Sequence, residues 1–379
     1  MRMMAAVMYE QGLEAPFARS MPFRIEEVQI DGPGPGEVLV QVRAAGLCHS
    51  DLSVLEGLRK RPLPIVGGHE GAGVVMEVGA GVVGLSAGDH VAMAAVAGCG
   101  RCRVCSAGRP GLCQAVTGAR AEGLLATGAR RLHLGNGDRL NHYSGISVYA
   151  EYAVVAAPSL VRIDRRVPLD IAAMFGCAVV TGAGAVFNSA KVRSGSSVAV
   201  VGLGGVGLTA VMAAREAGAS RIVGLDIQPD KFALARAAGA TDCVDAHSPE
   251  AVQHVRELTD GGVDYSFEIS GNLAAVGLAQ EVTARGGEVI CVGVGRTDAQ
   301  FTVQQMQLVT EERVIRGSFM GGGIPQQDIP RFAAMYLDGK LPVDLLRSKH
   351  IQFAELNHGF DLLAQGGTVR QILLPHGVV

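Results

Sequence analysis

The chain has 379 residues, 48% hydrophobic and 18% charged, with a formal net charge of −3. At roughly 100–200 residues per domain, this length points to two domains. The near-neutral charge excludes the basic face that nucleic acid or an anionic membrane would demand. Apolar runs such as residues 171–178 fall short of the ~20 needed to span a bilayer. The amino-terminal stretch is broken at Glu10 and has no small-residue cleavage site, so the expectation is a cytoplasmic chain with no membrane partner. In that compartment the eight cysteines are expected as thiols or metal ligands rather than disulfides.

Along the chain, GEVLVQVRAAG (36–46) and GAGVVMEVGAG (71–81) alternate like strands broken by turns, which predicts an irregular β-rich first domain. Residues 117–143 show little apolar periodicity and read as a long loop. From about Lys191 the texture changes to strand, Gly-rich turn, helix, strand, and the alternation continues through 230–246, 263–271 and 287–295. Repeated β–α–β units with apolar strands predict a doubly wound parallel sheet. Cys243 and Cys291 sit in these strands and read as small core residues. After about Phe319 the pattern becomes mixed again and can rejoin the first domain. The expected division is 1–180 plus 320–379 for the β-rich domain and 181–319 for the α/β domain.

Gly202, Gly204, Gly205, Val206 and Gly207 form a GxGxxG turn after the expected strand 197–201 and before a helix. Gly202 allows the tight turn, Gly204 lets backbone approach a pyrophosphate, and Gly207 lets the helix pack on the strand. The helix N-terminus then offers N–H groups to the phosphates. Asp226, about 20 residues further on, matches the carboxylate that bonds both ribose hydroxyls and repels a 2′-phosphate, favouring NAD. A strand-end cap is the alternative for Asp226.

Cys99, Cys102, Cys105 and Cys113 form a compact four-thiolate set. Short spacings on one Gly-rich loop suit a closed structural zinc site, and iron–sulfur ligation remains the alternative. Cys48, His69 and Cys177 are too widely spaced to prove anything alone, but each lies in a Gly-rich turn beside an expected strand. Two thiolates and one imidazole leave the fourth zinc position open, which is the donor set known from alcohol dehydrogenases.

These motifs together resemble the zinc-containing medium-chain alcohol dehydrogenases over nearly the whole chain. The resemblance rests on CHSD (48–51), GHEGAGVV (68–75), CGRCRVCSAGRPGLC (99–113), and GLGGVG (202–207) followed by Asp226. The stretch 123–152 resembles the long-insert branch that includes liver-type and glutathione-dependent formaldehyde enzymes. The resemblance implies a GroES-like catalytic domain, a Rossmann domain inserted in it, and the nicotinamide and catalytic zinc in the cleft between domains. It also implies NAD and two zinc ions per chain, catalytic at Cys48, His69 and Cys177, structural at the four-cysteine loop.

By position, the resemblance makes Asp51 the partner that orients His69, and Ser50 the acceptor of the alcohol proton. Glu70 would sit behind the zinc, as a transient ligand or as an ion-pair partner. His49 and Arg370 would face the pyrophosphate, and Lys231 would bond the ribose beside Asp226. Thr181 and Val206 would press on the nicotinamide, with Val292 and Val294 also beside the cofactor. Ser50 and Thr181 could instead simply cap turns. Ala95, Tyr143 and Ser144 would line the substrate pocket, with Val294 towards its mouth. Arg59 would lie near the entrance, as a contact for a polar or anionic tail or as a solvated loop residue.

Two positions depart from the family pattern. Ser53 stands where liver-type members carry a proton-relay histidine. No arginine in residues 114–117 matches the one that glutathione-linked members use, which speaks against a glutathione substrate. Ala95 and Ser50 are small, so the expected substrate is a medium-to-large primary or aromatic alcohol, or its aldehyde. The alternatives are a thiol-adduct formaldehyde dehydrogenase and, in another class, a non-catalytic NAD- and zinc-binding protein. By analogy with relatives that pair sheets edge to edge, a homodimer or homotetramer is expected, with residues 287–295 supplying the dimer strand.

Overall fold

The computed structural model describes residues 1–377. The chain forms two compact units. One comprises Met1–Cys177, Ile324–Leu337 and the segment from Arg347 onward, and the other comprises Ala178–Gly323 and Asp338–Leu346.

In the first unit, strands Arg2–Met8, Phe23–Ile30, Leu132–His133, Arg139–His142 and Ile65–Val66 close into a small barrel. Its centre is filled by Met3, Ala5, Val7, Val28, Ile30, Val66 and Leu140, the inward half of an alternating pattern. A seven-stranded sheet lies beside it, in the order Leu160–Arg162, His90–Met93, Glu70–Val78, Glu37–Gly46, Arg370–Leu373, Arg347–Ile351, with Tyr152–Ala156 also pairing with Glu37–Gly46. The carboxy-terminal strand enters this sheet by pairing Ile372 with Gly46 and Leu373 with Ala45.

Residues 117–143 are not one long loop. They contain the end of helix Gln114–Ala121 and two short strands that pair with each other. Those strands also pair with Phe23–Ile30 and Ile65–Val66. Two- and four-residue strands are too short to show alternation. The segment is anchored by polar contacts instead: buried Glu37 accepts from Arg131 Nε at 2.7 Å, Thr127 Oγ1 at 2.7 Å and the Gly34 N–H at 2.8 Å.

The second unit holds six parallel strands in the order Asp242–Asp245, Arg221–Asp226, Ser197–Val201, Val263–Glu268, Thr283–Cys291, Val314–Gly317. This is the 3-2-1-4-5-6 order of the Rossmann sheet. Buried Ala199, Val201, Val223, Leu225 and Val289 pack against helix residues such as Val255 and Ala279. Cys243 and Cys291 are half-buried rather than core. Strand Thr283–Cys291 is paired on both sides, so residues 287–295 do not lie at an edge; the sheet ends at Asp242–Asp245 on one side and Val314–Gly317 on the other. The segment Asp338–Leu346, expected with the first unit, lies with the second, where Leu341, Val343 and Leu346 are buried and pack near helices Gly205–Glu216 and Phe232–Ala238. No single helix among the described residues is long and apolar enough to cross a membrane.

Candidate metal centres and dinucleotide site

Cys48 precedes helix His49–Leu55, His69 precedes strand Glu70–Val78, and Cys177 follows the turn Ala173–Gly176. Ligand atoms of Cys48, His69, Glu70 and Cys177 all lie within 4.8 Å of one another, and all four residues are buried. Close backbone packing brings Cys177 in: a Cβ on Gly176 would sit 1.9 Å from the Met93 carbonyl oxygen. His69 Nδ1 is 2.9 Å from Asp51 Oδ1, which leaves Nε2 for the metal set. Asp51 Oδ2 in turn accepts from the Cys48 N–H at 3.2 Å and Tyr149 OH at 3.0 Å, so the orienting carboxylate is itself fixed.

The electrostatics favour a thiolate here. A hydrogen bond from Cys177 holds the Cys48 thiol well below its ordinary value, helped by the Arg370 and His69 charges and opposed by burial. The same bond, with burial, pushes Cys177 well above. The pair thus favours a thiolate at Cys48, and binding a cation would favour the thiolate form of both. Burial opposes charge on His69, but Asp51 and Cys48 outweigh it and raise the imidazole. Two sulfurs and one carboxylate-oriented imidazole are the chemistry of a zinc site.

Glu70 combines both expected roles in position. Its carboxylate belongs to the ligand set, and Arg370 grips it through Nε to Oε2 and Nη2 to Oε1, both at 3.1 Å. Burial pushes the Glu70 carboxyl up to about 8 against the pull of Arg370. Acceptance by both oxygens is the geometry of the ionised form. Arg370 was expected at a pyrophosphate. Its donors reach Glu70, the Val369 carbonyl at 3.3 Å and Cys48 Sγ at 3.6 Å. A guanidinium buried this deeply needs a carboxylate, and a pair 300 positions apart leaves no trace in sequence spacing.

Ser50 is half-buried, and its carbonyl accepts from Tyr143 OH at 3.1 Å. The Tyr143 ring stands edge-on to His69 at 5.7 Å. Burial, then Asp51, pushes this phenol well above its ordinary value. Ala95 is buried, while His49 is exposed. Ser53 Oγ donates to the His49 carbonyl at 2.9 Å. The Arg59 backbone closes the end of this helical segment, its N–H on the Ser53 carbonyl at 3.1 Å. Sequence reasoning missed Arg120, whose Nη2 reaches Ser144 Oγ at 3.4 Å, and Arg61, whose charge also acts on Tyr143. The available signal was that Arg120 lies two helical turns beyond Cys113.

The ligand atoms of Cys99, Cys102, Cys105 and Cys113 also lie within 4.8 Å of one another. Cys102 Sγ is 3.4 Å from Cys105 Sγ and 3.9 Å from Cys113 Sγ. Zn–S bonds of ~2.3 Å give tetrahedral edges of about 3.8 Å, so the cage fits a closed zinc site. Backbone N–H groups of Arg101 and Cys102 bring the Cys99 thiol down to about 6, and burial pushes Cys105 up to about 11.

In the second unit, Gly202 has φ +102, and a Cβ on Gly207 would lie 1.8 Å from the Gly202 carbonyl oxygen, so both positions require glycine. Helix Gly205–Glu216 begins at Gly204 without a side-chain cap. Its first N–H groups are thus left for an anion, and a Cβ at Gly204 would meet open space. Asp226 is anchored by the Leu203 N–H at 2.7 Å, the Gln228 N–H at 2.9 Å and Lys231 Nζ at 3.2 Å to both oxygens. Thr181 Oγ1 contacts Met320 Sδ at 3.7 Å. Val206 is half-buried, Val292 buried and Val294 exposed. Glu268, also missed, ends the strand beside Val201, with Oε2 buried and unpartnered and Oε1 accepting from Ser270 and Gly271 at 2.7 Å.

Two family models match, the alcohol dehydrogenase GroES-like domain over residues 34–165 and the zinc-binding dehydrogenase over residues 205–338. The chain is 38% identical over 377 residues to an S-(hydroxymethyl)glutathione dehydrogenase of Synechocystis sp., covering 98% of this chain and 100% of that one. It is 39% identical to a class-3 alcohol dehydrogenase of Drosophila melanogaster, covering 93% and 94%. Among solved structures, a zinc-binding-domain alcohol dehydrogenase of Burkholderia ambifaria superposes with TM-score 0.93 at 36% identity, covering 99% and 100%. The benzyl alcohol dehydrogenase of Acinetobacter calcoaceticus superposes with TM-score 0.91 at 31% identity, covering 99% of both chains. With both metal cages and the Rossmann turn in place, the chain belongs to the zinc-containing medium-chain alcohol dehydrogenase family and is a zinc- and NAD-dependent oxidoreductase.

Proposed function

We propose that the chain interconverts medium-to-large primary or aromatic alcohols and their aldehydes. The observation that carries this reading is the run of small buried residues Ala94, Ala95, Val96 and Ala97 beside the Cys177 turn. Each methylene that fills such a space is worth roughly 1 kcal/mol or more. When bound, zinc supplies Lewis acidity at Cys48, His69 and Cys177, and NAD accepts the hydride. Asp51 keeps His69 in its ligating tautomer. Ser50 takes the alcohol proton, and Tyr143 holds the Ser50 backbone in place. Arg370 steadies the Cys48 thiolate. In the second unit Asp226 and Lys231 receive the ribose, with Lys231 turning from the carboxylate to a hydroxyl.

A second reading, oxidation of a glutathione adduct of formaldehyde, is favoured by the names of relatives at 37–39% identity. We further propose a homodimer through Val314–Gly317, one of the two edge strands of the sheet; in the helix that precedes it in the chain, Met306 and Val309 are 72% and 61% exposed. The deciding measurement is kcat/KM with NAD for ethanol to octanol, benzyl alcohol, and formaldehyde with and without glutathione. Octanol or benzyl alcohol should exceed ethanol. A rate confined to formaldehyde plus glutathione would replace the first reading by the second.

A further inference from the structure

Strands Ser197–Val201 and Val263–Glu268 lie side by side in the Rossmann sheet, and the strands that follow each continue outward in opposite directions. The crevice at the carboxyl ends of such a pair is where this topology binds a dinucleotide. Glu268 ends the second of these strands and is 1% exposed. Its carboxyl group holds the loop that follows. Oε1 accepts from Ser270 Oγ and from the Gly271 N–H, both at 2.7 Å. Ser270 Oγ accepts in turn from the Asn272 N–H at 3.1 Å, and Asn272 Oδ1 caps helix Leu273–Val282 through the Ala274 N–H at 2.8 Å. The Glu268 carbonyl takes the N–H groups of Val292 and Gly293 at 2.8 and 3.0 Å. One residue thus ties the loop to the end of the next strand.

This loop is wedged between the Rossmann turn and residues 292–294, the segment that the family resemblance sets beside the cofactor. A Cβ on Gly202 would lie 3.2 Å from the Ser270 nitrogen. A Cβ on Gly293 would lie 2.1 Å from the Gly271 nitrogen, and one on Gly271 would lie 2.9 Å from the Val294 carbonyl carbon. Three backbones therefore touch, and close packing passes any shift of the loop to both neighbours. A buried carboxyl is a costly way to hold a loop. Burial pushes Glu268 above the ordinary carboxyl value, against the pull of its bonds to Ser270 and Gly271. Its Oε2 is buried without a hydrogen-bond partner. A strand end that needed only a filled core would be better served by an apolar side chain.

We infer that Glu268 is a positioning residue for NAD: it fixes Ser270 and Gly271 as a strut that keeps the Rossmann turn and residues 292–294 in the arrangement the dinucleotide needs. This rests on NAD dependence and not on the choice of alcohol.

The test is fluorescence titration of the zinc-loaded protein with NADH, which reads the same whether or not the alcohol reading holds. Glu268→Ala should weaken NADH binding by about tenfold or more, the loss expected for two hydrogen bonds. The KM for NAD should rise in parallel, while the KM for the alcohol stays at the wild-type value. Glu268→Gln keeps an acceptor oxygen for both donors and should restore binding to within about threefold of wild type. Wild-type affinity in Glu268→Ala, even with lowered resistance to urea, would show a group that serves stability alone and overturns the inference. Glu268→Gln as weak as Glu268→Ala also overturns it, because the bonds would then not be what matters. If Glu268→Ala does not fold, Ser270→Ala decides. It removes one of the two bonds at an exposed residue and should weaken NADH binding several-fold, and unchanged binding overturns the inference.

Discussion

Arg370 holds both carboxylate oxygens of Glu70 at 3.1 Å, inside the ligand set that includes Cys48 and Cys177. The pair is almost fully buried, so neither partner has water to fall back on. Arg370→Met should lower the stability of the first unit by about 3–5 kcal/mol, the cost of stranding one member of a buried pair. The Glu70 carboxyl, already raised to about 8 with Arg370 present, would rise further and fold as the neutral acid. A raised carboxyl pKa makes the folded state lose stability as pH climbs through it. The deficit should therefore widen on the alkaline side and shrink at pH 6, as measured by urea unfolding. An equal deficit at both pH values would show that the pair is not coupled as described.

The two metal cages should respond differently to loss of a thiol. Elemental analysis should find two zinc ions per chain. Cys48→Ser should leave a folded protein with one zinc and no alcohol oxidation. Cys102→Ser should instead lower the melting temperature and solubility, because a closed cage contributes folding energy. One zinc in the wild type, or iron, would remove the assignment.

Much of this was legible before any coordinates. The Rossmann turn and the four-cysteine loop announce themselves because each lies within one short segment, whereas Cys48, His69 and Cys177, with Asp51, were legible only through the family resemblance. What was hidden lies in long-range or short-element structure. Arg370 and Glu70 meet across 300 positions. The strands Leu132–His133 and Arg139–His142 are too brief to alternate, so the segment bearing Arg120 read as loop. The edge strand Val314–Gly317 has only four residues, one of them arginine, and no apolar run to mark it, which is why its longer neighbour was taken for the dimer strand.

Cofactor preference should turn on Asp226. Its carboxylate is held in place by two backbone N–H groups and Lys231, where it can meet the 2′ position. Asp226→Gly should lower kcat/KM for NAD by tenfold or more and bring NADP to within a few-fold of it. A wild type that prefers NADP would overturn that role.

His142 should set part of the acid sensitivity. It is 1% exposed, and burial takes its pKa down to about 3, with Arg130 and Arg131 adding to the effect. Its Nε2 accepts the Arg131 N–H at 3.0 Å, so the fold keeps it neutral. The unfolded chain binds a proton below about 6.5. Stability is therefore full above that pH and falls by about 1.4 kcal/mol per pH unit between 6.5 and 3. His142→Gln should flatten the slope of unfolding free energy against pH by one proton over pH 6 to 4.5. An unchanged slope would mean the imidazole titrates freely in the folded protein.

Every thiol and imidazole of the catalytic cage precedes Ala178, yet the arginine that pairs with Glu70 is residue 370, on a strand pairing with Gly46 and Ala45. On the ribosome the ligands therefore emerge some two hundred residues before the group that neutralises Glu70. The first unit cannot close its sheet until the last few residues of the chain are released. Until then Glu70 has no Arg370 to pair with, while every strand of the second unit precedes that residue in the chain. Completion of the sheet thus becomes a late event, and trimming the chain before Arg370 leaves Glu70, beside the metal ligands, without its ion-pair partner.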